Sequence, residues 1–581
     1  MNTILELLPK QDLLRCALVC RNWDAIVRDI VWRGRVESGV GIRPILSLME
    51  EYYEEHRKSR FKVALSTTSW DRFNRSGYAG RIRVLDLDLR NLDCTTWFLG
   101  AMLHSIQSPM RLPKLQHLHV TVSQVPVELQ IAMTFFSNNV THFVADIDRG
   151  YPWTSGHRHN VNMDSLIPVF RNPLNPQIAT QPELFPLDGF LAAVAERMPR
   201  IQTLGLNMRD SDGMVTAFSS FITMLCALEG LISLSLPPYA LGISLVAALS
   251  THQNIRYITA IQREPAHSAT LDWDDSDAII AQPVAGLLDG PSVRLEKLAV
   301  TVPICTFTPF FTEQFNPQNL TSLRLMIQGE VAVSDLVKNA FSMIANRCWS
   351  LEELTVSLAQ PEDSPWQIGY DVLRPLCGCE RLVYLKITSS FTADINNEAF
   401  EALVSHWPRL KHLALDGADA VPVSPVEQAS LSLGTVMELL RKHCPQLVEL
   451  VLYVSMALPF GWFRDGEFCR PIDSLRAVTL LVGSPAVTPP SQIATYFSLV
   501  LPQEATLYCY APAPCIFPGP QILEWETRRR VLCAFNRTLT RCLGDLTPRS
   551  TTVSLYHVLG RIDFASLINI NSVMTLASFV L

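Results

Sequence analysis

The sequence predicts an α/β chain in which a short helical N-terminal segment precedes a long stack of repeated strand–helix units. A six-residue pattern (Leu, two residues, Leu, one residue, apolar) recurs along most of the chain. Helically spaced apolar stretches and proline-marked turns stand in front of several copies. The first thirty or so residues crowd large apolar side chains into a segment too short to bury them. At 581 residues the chain is too long for one ordinary core, whereas a stack of repeats grows by adding units. With 48% hydrophobic and 18% charged residues it carries enough apolar surface to fold.

Residues 1–32 read as two or three short amphipathic helices. Ile4, Leu5, Leu7 and Leu8 form an apolar patch that Pro9 ends, because proline disfavours helix in the residue before it. Gln11-Asp12 then opens a second helix with Asp12 as its N-cap, and Leu13, Leu14, Ala17 and Leu18 follow at helical spacing. Trp23, Ile26, Val27, Ile30, Val31 and Trp32 continue the apolar series. Either the next domain or a partner must cover them.

The run ILELLPKQDLLRCALVCRNWDAIVRDIVWR resembles the middle and end of an F-box. Asp12-Leu13-Leu14 is similar to that family's D-L-L turn, Val19-Cys20-Arg21-Asn22-Trp23 to its V-C-R-x-W core, and Trp32 to its closing tryptophan. The following Arg43–Leu48 segment resembles one found after the F-box in mushroom-type fungal members. The resemblance implies docking on the Skp-type adaptor, and through it on a cullin, of a cullin–RING ubiquitin ligase. The docking residues it implies are Leu5, Leu8, Leu13, Leu14, Val19, Cys20, Trp23 and Trp32. Met1 falls inside the family's first helix, so the hook is expected to be shortened. Each fully buried leucine contributes about 1.5–3 kcal/mol, so losing one or two such anchors would weaken docking.

The repeating pattern appears as LQHLHV (115–120), IQTLGL (201–206), LISLSL (231–236), LEKLAV (295–300), LTSLRL (320–325) and LEELTV (351–356). It continues as LVYLKI (382–387), LKHLAL (410–415), LVELVL (447–452) and LRAVTL (475–480), with weaker copies IRVLDL (82–87) and IRYITA (255–260). From position 201 the copies lie roughly 24 to 40 residues apart, near the leucine-rich-repeat period. In each copy the last two apolar residues share one face of a short strand and the first fills the turn before it. Helical stretches such as Glu398–His406 and Val436–His443 lead through Trp-Pro, Cys-Pro or Met-Pro into the next strand. The expected fold is therefore F-box-like helices followed by an irregular leucine-rich-repeat (ribonuclease-inhibitor-like) solenoid. An ordinary α/β sheet also fits alternating strand and helix. The boundaries read as a hook at 1–48, a solenoid at 49–483 with insertions near 150–186 and 263–291, and C-terminal repeats and cap at 484–581. The cap is expected to include a helix over Ile522–Leu539 and a strand near Val553–Leu559.

A net charge of −7 argues against a nucleic-acid partner, and the single basic run Arg528-Arg529-Arg530 reads as the solvated face of a helix. The uncharged tail Phe564–Leu581 is interrupted by Asn569, Asn571, Ser572 and Thr575, so no membrane span is expected. The first residues lack a signal-peptide pattern and the 14 cysteines read as buried thiols of a reducing compartment, which points to cytoplasm, nucleus or both. Cys377-Gly-Cys379 is too tight for a zinc knuckle. His157, His159 and Asp164 read as a solvated loop, and Asp272, Asp274, Asp275 and Asp277 as an acidic patch without an EF-hand's glycine and glutamate. No phosphate-binding Gly-x-x-x-x-Gly-Lys run or Gly-x-Ser-x-Gly elbow is present, so neither a metal nor a cofactor is expected.

Residues between the leucines point to a solenoid's concave face, where partners bind. They include His117, His119, Lys297, Ala299, Glu353, Thr355, Tyr384, Lys386, His412, Ala414, Glu449 and Val451. A mixed polar set suits a protein substrate better than nucleic acid. The expectation is a non-catalytic, SCF-type substrate receptor that acts by proximity. The alternatives are a repeat scaffold without ligase attachment and, behind it, an enzyme with an unrecognised site.

Overall fold

The computed structural model describes residues 8–34, 39–49, 52–55, 58–61, 67–90, 112–123, 126–148, 186–208, 217–242, 252–261, 294–304, 317–328, 334–358, 368–389, 393–415, 430–455, 472–482 and 505–510, with single positions 245, 249, 307, 311, 458, 496, 497 and 500–502. Nearly all of the two expected insertions, His157, His159, Asp164, the Asp272–Asp277 cluster, Arg528–Arg530 and the C-terminal helix, strand and tail lie outside these residues. The chain divides into two compact units, Met1–Met326 and Ile327–Leu581.

The first unit opens with helices α1 (Lys10–Ala17) and α2 (Arg21–Arg33). Asp12 does not cap α1. The carbonyl of Pro9 already accepts from the amides of Asp12 and Leu13, each at 3.0 Å, so the helix starts earlier and Asp12 pairs with Arg15 at 3.1 Å in its first turns. A ladder of strands follows in chain order: β1 (Val40–Gly41), β2 (Val84–Asp88), β3 (His117–Ser123), β4 (His142–Asp148), β5 (Thr203–Met208), β6 (Ser233–Leu236), β7 (Tyr257–Ala260), β8 (Lys297–Pro303) and β9 (Ser322–Gln328). From β1 to β8 every neighbouring pair is parallel.

The second unit repeats the arrangement with β10 (Glu353–Leu358), β11 (Tyr384–Ser389), β12 (His412–Leu415), β13 (Glu449–Val454), β14 (Ala477–Val482) and β15 (Thr506–Tyr510), again all parallel. Parallel neighbours need a crossover between them. In this unit Asn397–Val404 and Leu433–His443 supply two of the helical ones, close to the expected spans. Asn396 caps the first by accepting from the Ala399 amide at 2.8 Å.

Every copy of the six-residue pattern is a strand that begins two residues after its first apolar position. The register then stacks like on like. Leu118, Phe143, Leu204, Leu234, Ile258 and Leu298 form one buried row in the first unit. Leu354, Leu385, Leu413, Leu450 and Val478 form another in the second.

The turns before β3, β5, β6, β10, β11, β12 and β13 are built the same way. The amides of Leu115, Ile201, Leu231, Leu351, Leu382, Leu410 and Leu447 bond back to the carbonyls of Leu112, Met198, Leu228, Cys348, Cys379, Trp407 and Cys444. The side chains of those seven acceptor residues are all buried. That burial is why apolar, sulfur-bearing or aromatic residues precede the turn. The Trp407 indole also donates to the Leu376 carbonyl at 3.1 Å.

Candidate functional site

Helices α1 and α2 pack around Leu13, Val27 and Ile30, with Leu8, Cys16, Ala17, Trp23, Ile26 and Val31 closing on that nucleus. Between them the chain turns through Leu18, Val19 and Cys20, whose direction is set by bonds from the Leu18 and Val19 amides to the carbonyls of Arg15 and Cys16, each 3.1 Å. Leu18 is 87% exposed and Val19 67%. Two large aliphatic side chains side by side in water make an unusual patch for a helical turn, since most such groups are buried.

Of the eight residues expected to dock, Val19 and Cys20 are exposed, while Leu8 and Trp23 are half-buried against the hook's own nucleus. Leu13 has to be corrected: at 1% exposure it is the centre of the hook and supports the surface from beneath. Trp32 is also engaged internally, its ring stacked on Tyr78 at 4.4 Å and 25°. Leu5 and the side chain of Leu14 lie outside the described residues. Leu18, more exposed than Val19, was not among the eight; its place immediately before the V-C-R-x-W run was the available signal.

The hook is joined to the ladder by backbone. The Arg83 amide donates to the Arg33 carbonyl at 2.9 Å, and Gly34 reverses the chain at φ +78°, where a Cβ would lie 2.6 Å from the Val84 carbonyl oxygen. Arg28 reaches from α2 to the Tyr78 hydroxyl at 3.3 Å. The apolar series of residues 1–32 is thus shared: Trp32 and the nucleus are covered by the chain itself, and Leu18 and Val19 are left in solvent.

In the first unit, His117 and His142 stack at 4.1 Å across β3 and β4. Burial holds both below the ordinary imidazole range, and the neighbouring His142 adds to the effect on His117. His119 lies between two carboxylates, 2.8 Å from Asp146 and 3.3 Å from Asp86. The hydrogen bond to Asp146, then that to Asp86, raises it to about 9. Burial alone would push Asp146 up, but its hydrogen bonds with His119 and Asn207 hold it below the usual carboxylate value. Asn207 donates to it at 2.9 Å. Lys297 lies further along the ladder, beside Tyr257 in register, and the Ala299 side chain is buried rather than presented to a partner.

In the second unit Glu353, Tyr384, His412 and Glu449 are consecutive partners in one row of the register. The Tyr384 and His412 rings lie 5.3 Å apart, and His412 pairs with Glu449 at 3.1 Å. Lys386 occupies the next row between Thr355 and Ala414. Each unit therefore lines up a mixed row of aromatic, basic and acidic side chains. Among the described residues no group of three or more His, Cys, Asp or Glu could hold a metal ion, and no helix is long and apolar enough to cross a membrane.

Residues 2–37 match the F-box-like family model. The N-terminus is an F-box-like domain. The matched span takes in α1, the exposed turn, α2 and Gly34. Two solved structures resemble the chain at low identity. The Rad7 and Elc1 complex of yeast matches at 14% identity over 55% of this chain and 77% of that one, with a TM-score of 0.28. The leucine-rich repeat-containing protein LegL7 of Legionella pneumophila matches at 10% identity over 66% of this chain and 97% of that one, with a TM-score of 0.29. No curated protein matches the sequence.

Proposed function

We propose that the chain is the substrate-recognition subunit of an SCF-type ubiquitin ligase. Its F-box-like domain would dock on a Skp-type adaptor, and through it a cullin, while its leucine-rich-repeat solenoid holds a protein substrate. The observation that carries this reading is the Leu18-Val19 pair, exposed at the turn of a domain that matches the F-box-like family. An exposed aliphatic pair held over a packed nucleus gains free energy when a partner removes it from water. The rows of mixed polar and aromatic side chains on both units suit recognition of a folded or extended protein. The chain carries no covalent step in this scheme; it raises the local concentration of the substrate near the charged carrier enzyme. Its place of action is the cytoplasm, the nucleus or both.

The test is co-purification of the full chain with a Skp-type adaptor. Wild type should form a stable complex and the Leu18→Asp/Val19→Asp variant should not, with unchanged thermal unfolding. A wild-type chain that fails to bind would overturn the ligase reading and leave a repeat scaffold.

A further inference from the structure

At the edge of the first unit, a cavity of about 430 Å³ is lined by Arg83, Pro113, Lys114, Gln116, Asn139, Thr141 and Arg200. Arg83, Gln116 and Thr141 are the residues immediately before β2, β3 and β4, and Arg200 lies three before β5. The walls are fixed from within: Asn139 donates to the Pro113 carbonyl at 2.9 Å and Thr141 to the Gln116 carbonyl at 3.3 Å. Three of the lining residues are cations and none is an anion. Arg83, Lys114 and Arg200 are exposed, and none has a side-chain partner among the described residues. The same edge shows how a cation is neutralised when no ligand is needed: Arg256, immediately before β7, pairs with Glu296 at 3.4 Å.

We propose that this groove binds a short acidic segment of a protein partner, carrying two or three Asp or Glu side chains within about five residues. From β2 to β5 there are three inter-strand steps, roughly 14 Å in all, which is about the length of four residues of extended peptide. A segment laid across the edge sets successive carboxylates against Arg83, Lys114 and Arg200. A longer polyanion gains little more, because Arg83, Lys114 and Arg200 are the only cations among the residues lining the groove. That the partner is a protein rests on the receptor reading; the groove's preference for negative charge does not.

The experiment is fluorescence anisotropy on the full chain with a labelled seven-residue peptide carrying three glutamates, against its glutamine counterpart. The glutamate peptide should bind at least tenfold more tightly at low salt and lose that margin as salt screens the charges. Arg83→Gln, Lys114→Gln and Arg200→Gln should each weaken it two- to fivefold, and the triple variant should abolish the preference. Arg256→Gln should change nothing. The Arg83→Glu/Arg200→Glu variant should reverse the preference toward a lysine peptide, a gain that misfolding cannot produce. Equal binding of the two peptides, or an equal loss in Arg256→Gln, would overturn the proposal. So would a twelve-nucleotide single strand that binds as tightly and is lost in the same variants. The Leu18→Asp/Val19→Asp variant should keep full peptide affinity, so failure of adaptor docking and failure of the groove are read separately.

Discussion

His119 of β3 and Asp146 of β4 meet at 2.8 Å although they are not register partners: His119 stands opposite Val144, and Asp146 opposite Thr121. The contact is a diagonal one between neighbouring strands, within reach of a long side chain, and it ties the charge of His119 and Asp146 to the alignment of two strands.

That diagonal gives stability a pH signature. His119 titrates near 9 in the folded chain, above its ordinary value of about 6.5. Its contribution is therefore complete below about pH 6.5 and is lost as pH rises through about 9. Because the pair is partly exposed, solvent screening limits the effect to about 1 kcal/mol or less. Urea unfolding at pH 7 and pH 10 should show that loss in wild type and not in His119→Gln; superimposable profiles would refute the assignment. His117 and His142 act in the opposite sense, weakening the fold as pH falls below about 6.5.

In the hook, stability and docking separate by residue. Leu13→Ala removes the centre of the nucleus and should cost about 2–5 kcal/mol, read as lower thermal stability and faster proteolysis within α1 and α2. Leu18→Ala should leave unfolding within about 0.5 kcal/mol while weakening adaptor binding. The separation fails if the two variants lose stability alike.

Gly34 occupies a left-handed turn against the Val84 carbonyl, so Gly34→Ala adds both backbone strain and a steric clash. The expected cost is on the order of 1–3 kcal/mol. Gly41, whose added Cβ would meet nothing within 4 Å, provides the control. Thermal melts of the two alanine variants should differ clearly; equal melts would show that the joint between hook and ladder can relax.

Trp407→Phe keeps most of the buried volume but leaves the Leu376 carbonyl without its donor, at about 1–3 kcal/mol. Trp407→Ala adds a cavity and should cost about 3–5 kcal/mol. Denaturant midpoints of the full chain check the order.

Burial pushes the thiols of Cys348, Cys379 and Cys444 up to about 12, whereas Cys20 and Cys226 are exposed. Iodoacetamide at pH 8 should label Cys20 and Cys226 in the native chain and reach the other three only after unfolding, as peptide mass spectrometry would report. Early labelling of Cys444 would mean that its repeat opens locally.

The repeat was legible because its spacing is a direct imprint of geometry: a strand has period two, and the residue that fills the turn sits three before the first inward side chain. What the pattern missed followed the same geometry with other side chains. At β4 Val140 fills the turn and Phe143 and Ala145 face inward, an aromatic and an alanine standing in for leucines. Side-chain orientation was less legible. Ala299 lies between inward positions yet is buried, and Leu13 shares the apolar run with Leu18 while facing the other way. A helix of two turns has too few residues for periodicity to say which apolar face meets its partner helix and which meets solvent. The basic edge groove left no local motif, since its residues come from positions 83 to 200 and are gathered only when four strands align.

The carbonyl just before each strand accepts two successive amides from the next unit; Arg83 serves Gln116 and His117, Gln116 serves Thr141 and His142, and Lys411 serves Val448 and Glu449. The two amide bonds at this junction are main chain to main chain, with side chains such as Thr141 adding only a supplementary bond to the Gln116 carbonyl. The amide bonds therefore do not dictate which side chain stands there, and along the junction one finds Arg83, Gln116, Thr141, Arg256, Glu296 and Lys411. Mutation can rewrite the electrostatic character of that rim, one unit at a time, without disturbing the hydrogen bonds that join the units, so new binding preferences can arise there at little risk to folding.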